Sequence, residues 1–235
     1  MKWIDDNTRR FTKRPFFEKG EIDAICEEKV ITFFLEIKEL ENASFPIPTS
    51  DLEFLVEQDA SSLDTYADLS SEGINVEGMT EFLYDEKPKV YISEKLANPR
   101  MENRRRSTLT HELGHVVLHD KLWPRGQMSL LDGQEDKKIR CNRENILNAS
   151  SYDWLEWQAS YASGAFLMPI SFVKEVAERI YKLGYPPGPF YISSSAGKGL
   201  INRVQKTFCV SIEAAKVRLL QLNLITKEYN NPVLL

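Results

Sequence analysis

The chain has 235 residues, of which 42% are hydrophobic, 28% charged and 11% aromatic, and its net charge is -5. That size suits one large domain or a core with a small appendage, and the composition excludes collagen, coiled coil and wholesale disorder. No apolar run is long enough to span a bilayer, the start MKWIDDNTRRFTKRPFF has charges where a signal peptide needs an apolar stretch, and three cysteines are too few for a disulfide framework, so a cytoplasmic protein with no membrane partner is expected.

The charge is unevenly spread. Residues 1–20 form a basic arm with six bases and three acids, whereas residues 21–100 carry six bases and nineteen acids. An acidic front half is a poor footprint for gripping phosphates but suits a basic protein partner. The stretch from Arg9 to Phe17 is expected to dock on its own domain, with contact to nucleic acid as the alternative.

Residues 21–41 place Ile22, Ile25, Cys26, Val30, Phe33, Phe34 and Ile37 at helical spacing, which predicts an amphipathic helix. Phe45-Pro46-Ile47-Pro48 breaks it, and Thr49 or Ser50 can cap a short second helix. Residues 60–78 read as polar and turn-rich. Residues 80–84 and 89–92 read as two strands around a turn. After an arginine-rich connection, a helix is expected from Ser107 to His119, then a long irregular loop over 120–150. Further helices are expected over 151–168, 171–184, 197–207 and 212–223, with a Pro-Pro-Gly-Pro linker at 186–189.

The chemistry lies in His111-Glu112-Leu113-Gly114-His115. Residues four apart share a helical face, so both imidazoles can converge on one ion, and Glu112 beside them can take a proton from water. Only three histidines exist, all between 111 and 119. His119 is not expected to be a ligand, because it lies about 12 Å along the axis from His111 and about 80° around it. It is expected instead to end the helix against unsatisfied carbonyls. The third ligand should be a carboxylate on a neighbouring helix. Glu156 fits, because Ala159, Ser160, Ser163 and Gly164 form a stripe of small residues that lets two backbones approach; Asp153 and Glu144 are the alternatives.

These residues resemble a known family. The run from Arg104 to Thr110 followed by HELGHVVLH, then Glu156-Trp157-Gln158-Ala159 leading to Phe166-Leu167-Met168-Pro169, is similar to the ImmA/IrrE metallopeptidases. Pro46-Ile47-Pro48 and the segment from Phe208 to Ala215 extend the similarity over roughly 20–225. The long 120–155 segment and Ser107 depart from the family pattern. The predicted elements make an α+β, predominantly helical fold, with a helical, helix-turn-helix-like subdomain over 190–235. The resemblance implies that residues 21–185 form a zincin-like core with a small β-sheet. It also implies that His111, His115 and Glu156 bind Zn2+ and that Glu112 is the general base. The implied activity is that of a zinc endopeptidase which cleaves a helix-turn-helix repressor.

Tyr161, Tyr185 and Tyr191 are candidate oxyanion donors, and a substrate peptide could add to an edge of the strand pair near 80–92. Cys141, between Arg140 and Arg143, could occupy an open metal position and hold the enzyme off. The rival reading is a DNA- or protein-binding regulator with a structural or vestigial metal site. It rests on the last two helices, where Arg203, Lys206, Lys216 and Arg218 surround a short turn.

Overall fold

The computed structural model describes residues 1–8, 11–38, 44–82, 86–122, 153–182, 184 and 188–227, and residues 137–142 through their backbone alone. The fold is α+β and predominantly helical. An antiparallel hairpin, β1 (Lys2–Asp5) with β2 (Lys13–Phe16), opens the chain. Helix α1 (Lys19–Phe33) runs into a π-helical turn, and α2 spans Thr49–Asp59. Neither Thr49 nor Ser50 caps α2; Pro48 occupies that position, and the Thr49 hydroxyl instead donates to Glu102.

Strands β3 (Ser62–Ala67), β4 (Val76–Phe82), β5 (Lys89–Ser93) and β6 (Lys137–Asn142) form one sheet in the order β3-β5-β4-β6. β3 runs parallel to β5 and the other pairs are antiparallel. Two of these strands correct the sequence reading: β3 lies inside the stretch read as turns, and β6 lies inside the 120–150 loop. They flank the expected pair, so β4 and β5 are both internal and offer no free edge to a peptide.

Helix α3 (Glu102–His119) starts earlier than expected, and the arginine-rich connection is its first turn. Partners remote in sequence hold it helical. Arg104 pairs with Glu77, Arg105 donates to Glu53 at 2.6 Å, and Arg106 donates to the carbonyls of Ile47 and Phe208. Helix α4 (Trp154–Leu167) is capped by Asp153, whose carboxylate accepts from the Glu156 amide. Then come α5 (Ile170–Tyr181), β7 (Phe190–Tyr191), α6 (Ser195–Phe208), α7 (Ile212–Gln221) and β8 (Ile225–Thr226). β7 and β8 pair in parallel. None of the described helices is long and apolar enough to cross a membrane.

One cluster of buried side chains joins α1, α2, the sheet, α3, α4 and the C-terminal helices, with Leu109, Leu113, Phe166 and Phe208 fully buried in it. Inside it sits an ionic knot. Arg218 of α7 reaches Asp23 of α1 at 2.7 Å and donates to the Met168 carbonyl at 3.0 Å, while the Tyr161 hydroxyl donates to Asp23 at 2.9 Å.

Candidate metal centre

α3 and α4 lie against each other because both carry small residues at the crossing. A Cβ on Gly114 would stand 3.0 Å from the Ala159 Cα and carbonyl oxygen, so glycine lets the two backbones approach this closely without either giving way. The Thr110 and Ser163 hydroxyls are hydrogen-bonded across the same seam at 2.8 Å, and Ser160 lies 3.5 Å from His111 Nδ1. The expected stripe below Glu156 therefore packs as read, except Gly164, which faces Arg218 and Gln221 of α7.

The close seam brings His111, His115 and Glu156 together. Their ligand atoms all lie within 4.8 Å of one another, and together they could hold a metal ion. The two Nε2 atoms are 3.1 Å apart; Glu156 Oε2 is 3.2 Å from His111 Nε2, and Oε1 is 3.3 Å from His115 Nε2. Two atoms bound at about 2.0–2.1 Å to one tetrahedral ion sit roughly 3.4 Å apart, so the triangle has the edge lengths such an ion needs. Both histidines are fully buried and Glu156 is 4% exposed, yet Glu156 Oε2 makes no hydrogen bond. An orphaned carboxylate oxygen between two buried imidazoles fits a bound cation.

Glu112 lies beside this triangle, facing the sheet. The Thr80 hydroxyl donates to its Oε2 at 2.6 Å, while Oε1 is buried without a partner. Thr80 and Gly78 are two apart on β4 and so face the same way. At Gly78 the strand has to be bare: a Cβ there would fall 2.3 Å from Glu112 Oε1 and 2.7 Å from Thr108 Cγ2. Burial pushes the Glu112 carboxyl above its ordinary value, against the pull of both histidines and Thr80. Burial acts on Glu156 the same way, but the His111 and His115 rings lying against it outweigh that and hold the carboxyl far below the usual range. Burial would lower His115, yet the adjoining Glu156 raises it.

Other expectations are redistributed. His119 is the last residue of α3, as expected, but its side chain does not meet the free carbonyls; it is fully buried and hydrogen-bonded to His115 and Gln158. Sequence reading missed this contact, although His115 and His119 have the same four-residue spacing as His111 and His115. Asp153 serves as the α4 cap, and Glu144 and Tyr185 lie outside the described residues. The Tyr161 hydroxyl is committed to Asp23, which removes it as an oxyanion donor, and Tyr191 sits in β7 beside β8. Cys141 pairs in register with Gly78, although its side chain lies outside the described residues. Arg218, one of four cations read as a possible DNA surface, is 1% exposed and paired with Asp23, so it cannot reach a phosphate.

The N-terminal arm docks on its own fold. The Trp154 indole donates to Asp6 at 3.1 Å, Phe11 meets that ring edge-on, and the Arg14 guanidinium lies 5.3 Å over it.

No curated protein and no solved structure matches the chain. A family model does: the IrrE N-terminal-like domain of the M78 peptidases matches residues 70–220, which hold α3, α4 and every residue of the triangle. With well over half its length matched, the chain belongs to the M78 peptidase family, carrying an IrrE N-terminal-like domain.

Proposed function

We propose that this protein is a zinc-dependent endopeptidase. His111, His115 and Glu156 would hold the ion and Glu112 would be the general base. The observation that carries the reading is the buried triangle of ligand atoms, with the unpartnered Glu112 Oε1 beside it. Two imidazoles and one carboxylate with a position left open are the donor set of catalytic zinc, whereas structural sites are closed by four Cys or His ligands.

A bound zinc ion supplies Lewis acidity, which polarises the scissile carbonyl and acidifies the attacking water. The chain's own residues do the rest. Thr80 holds Glu112 Oε2, so Oε1 is the oxygen that takes the proton from the attacking water. The same carboxyl then delivers that proton to the nitrogen of the leaving amine. Gly78, with no side chain, leaves free the space beside Oε1 that a Cβ would fill.

The substrate we infer is a helix-turn-helix repressor whose cleavage relieves repression. Family membership and the acidic residue block 21–100, suited to a basic DNA-binding partner, support this reading. The test is incubation, with zinc, of the native protein and Glu112→Gln with the repressor encoded beside its gene. Cleavage by the native protein alone is expected. A salt-dependent shift of DNA mobility by the native protein, with no proteolysis, would favour the regulator reading instead.

A further inference from the structure

A chain of hydrogen bonds leads out of the metal triangle through His115. His115 Nδ1 is 3.0 Å from His119 Nδ1, His119 Nε2 is 2.9 Å from Gln158 Oε1, and Gln158 Nε2 donates to the Pro15 carbonyl at 3.1 Å. His119 is fully buried and Gln158 is 2% exposed, so water does not compete for these contacts. Pro15 belongs to the N-terminal hairpin, outside the residues 70–220 that match the family.

The hydrogens along this chain can be assigned from its far end. A carbonyl only accepts, so the Gln158 amide must present its NH2 to Pro15 and its oxygen to His119. That oxygen also only accepts, so His119 carries its hydrogen on Nε2. A neutral imidazole protonated there has a bare Nδ1, which is an acceptor. The hydrogen between the two Nδ1 atoms therefore belongs to His115. In the neutral ring, His115 Nε2 then carries the lone pair, and it faces the atoms of His111 and Glu156. Donating the opposite N–H also raises the basicity of a ligating imidazole and fixes its ring.

We propose that His119 and Gln158 are positioning residues that set the tautomer and orientation of His115 for metal binding, with Pro15 of the N-terminal hairpin as the fixed terminus. The hairpin is held in place around Trp154, which also meets the His119 ring edge-on at 5.7 Å. This proposal rests on the reading of the triangle as a metal site, but the tautomer assignment can be tested without metal.

The first measurement is 15N NMR of histidine-labelled, zinc-free protein near neutral pH. His115 protonated on Nδ1 and His119 on Nε2 are expected; the opposite tautomers would overturn the proposal whether or not zinc binds. The second is zinc affinity by chelator competition, using variants whose folding is checked by circular dichroism. His119→Leu removes the acceptor and should bind zinc about 10- to 100-fold more weakly. His119→Asn puts an oxygen where Nδ1 was and should recover most of that affinity. Gln158→Leu should also weaken binding, and the His119→Leu, Gln158→Leu pair should be no weaker than His119→Leu alone, because both act through one chain. Native affinity in folded His119→Leu, or multiplicative losses in the pair, would refute the positioning role. A native protein that binds no zinc but shows the expected tautomers would sink the metal reading and leave the hydrogen-bond assignment intact.

Discussion

Replacing Gly78 with Ala tests the placement of Glu112 without touching any proposed ligand. The added Cβ would meet Oε1 at 2.3 Å, Thr108 Cγ2 at 2.7 Å and Glu112 Cδ at 2.9 Å, whereas ordinary contact begins near 3.4 Å. Glu112 is fully buried between β4 and its own helix, so its carboxylate must swing by about 1 Å and strain or break the bond from Thr80. A displacement of about 1 Å at a reacting group costs on the order of 100-fold in rate, equivalent to about 2.7 kcal/mol of transition-state stabilisation. Crowding of the packed site should also cost about 1–3 kcal/mol of folding stability. The assay is kcat/KM on the cleaved repressor with zinc content measured in parallel. The expected result is a loss of about 100-fold or more with zinc retained. Native kcat/KM in Gly78→Ala would show that catalysis does not depend on Glu112 in this position, and the general-base assignment would fall with it.

Two further predictions concern the parts that hold the site. Asp23→Ala leaves Arg218 buried without its counter-charge and Tyr161 without its acceptor, so urea denaturation should report a loss of about 3–5 kcal/mol; a loss under about 1 kcal/mol would mean the knot is not a structural element. At Asp6, burial pushes the carboxyl up, but hydrogen bonds from Thr8, Phe11 and Trp154 outweigh it and hold it below the usual value. A depressed carboxyl stabilises the fold above its unfolded value, near pH 3.9, and loses that contribution as pH falls through its folded value. The stability gap between native protein and Asp6→Asn should therefore narrow from about pH 5 to about pH 2, and a gap independent of pH would refute the linkage.

What sequence reading could reach here depended on whether a residue's partner was local. His111 and His115 are joined by helical spacing, and the small residues after Glu156 marked the helix face that would approach them. Most helices were legible within a few residues from apolar periodicity. β3 and β6 were not. In SLDTYA and KKIRCN the apolar residues are few, and each strand is defined by hydrogen bonds to a neighbour in the sheet. The first turn of α3 read as a linker because its arginines find partners 27 to 102 positions away. Rotation about the helix sets His119 apart from His111, but its bond to Gln158 spans 39 positions and no local pattern announces it. The acceptor at Pro15 is a backbone carbonyl, which side-chain patterns do not reveal.

The ligand set itself is tested most directly by zinc per chain, measured by elemental analysis after dialysis, in the native protein, Glu112→Gln and Glu156→Ala. Native protein and Glu112→Gln should each hold about one zinc, because the Gln change removes a base and not a ligand, while Glu156→Ala should hold almost none. Full zinc occupancy in Glu156→Ala would contradict the account, since the buried triangle would then not be the site that holds the metal.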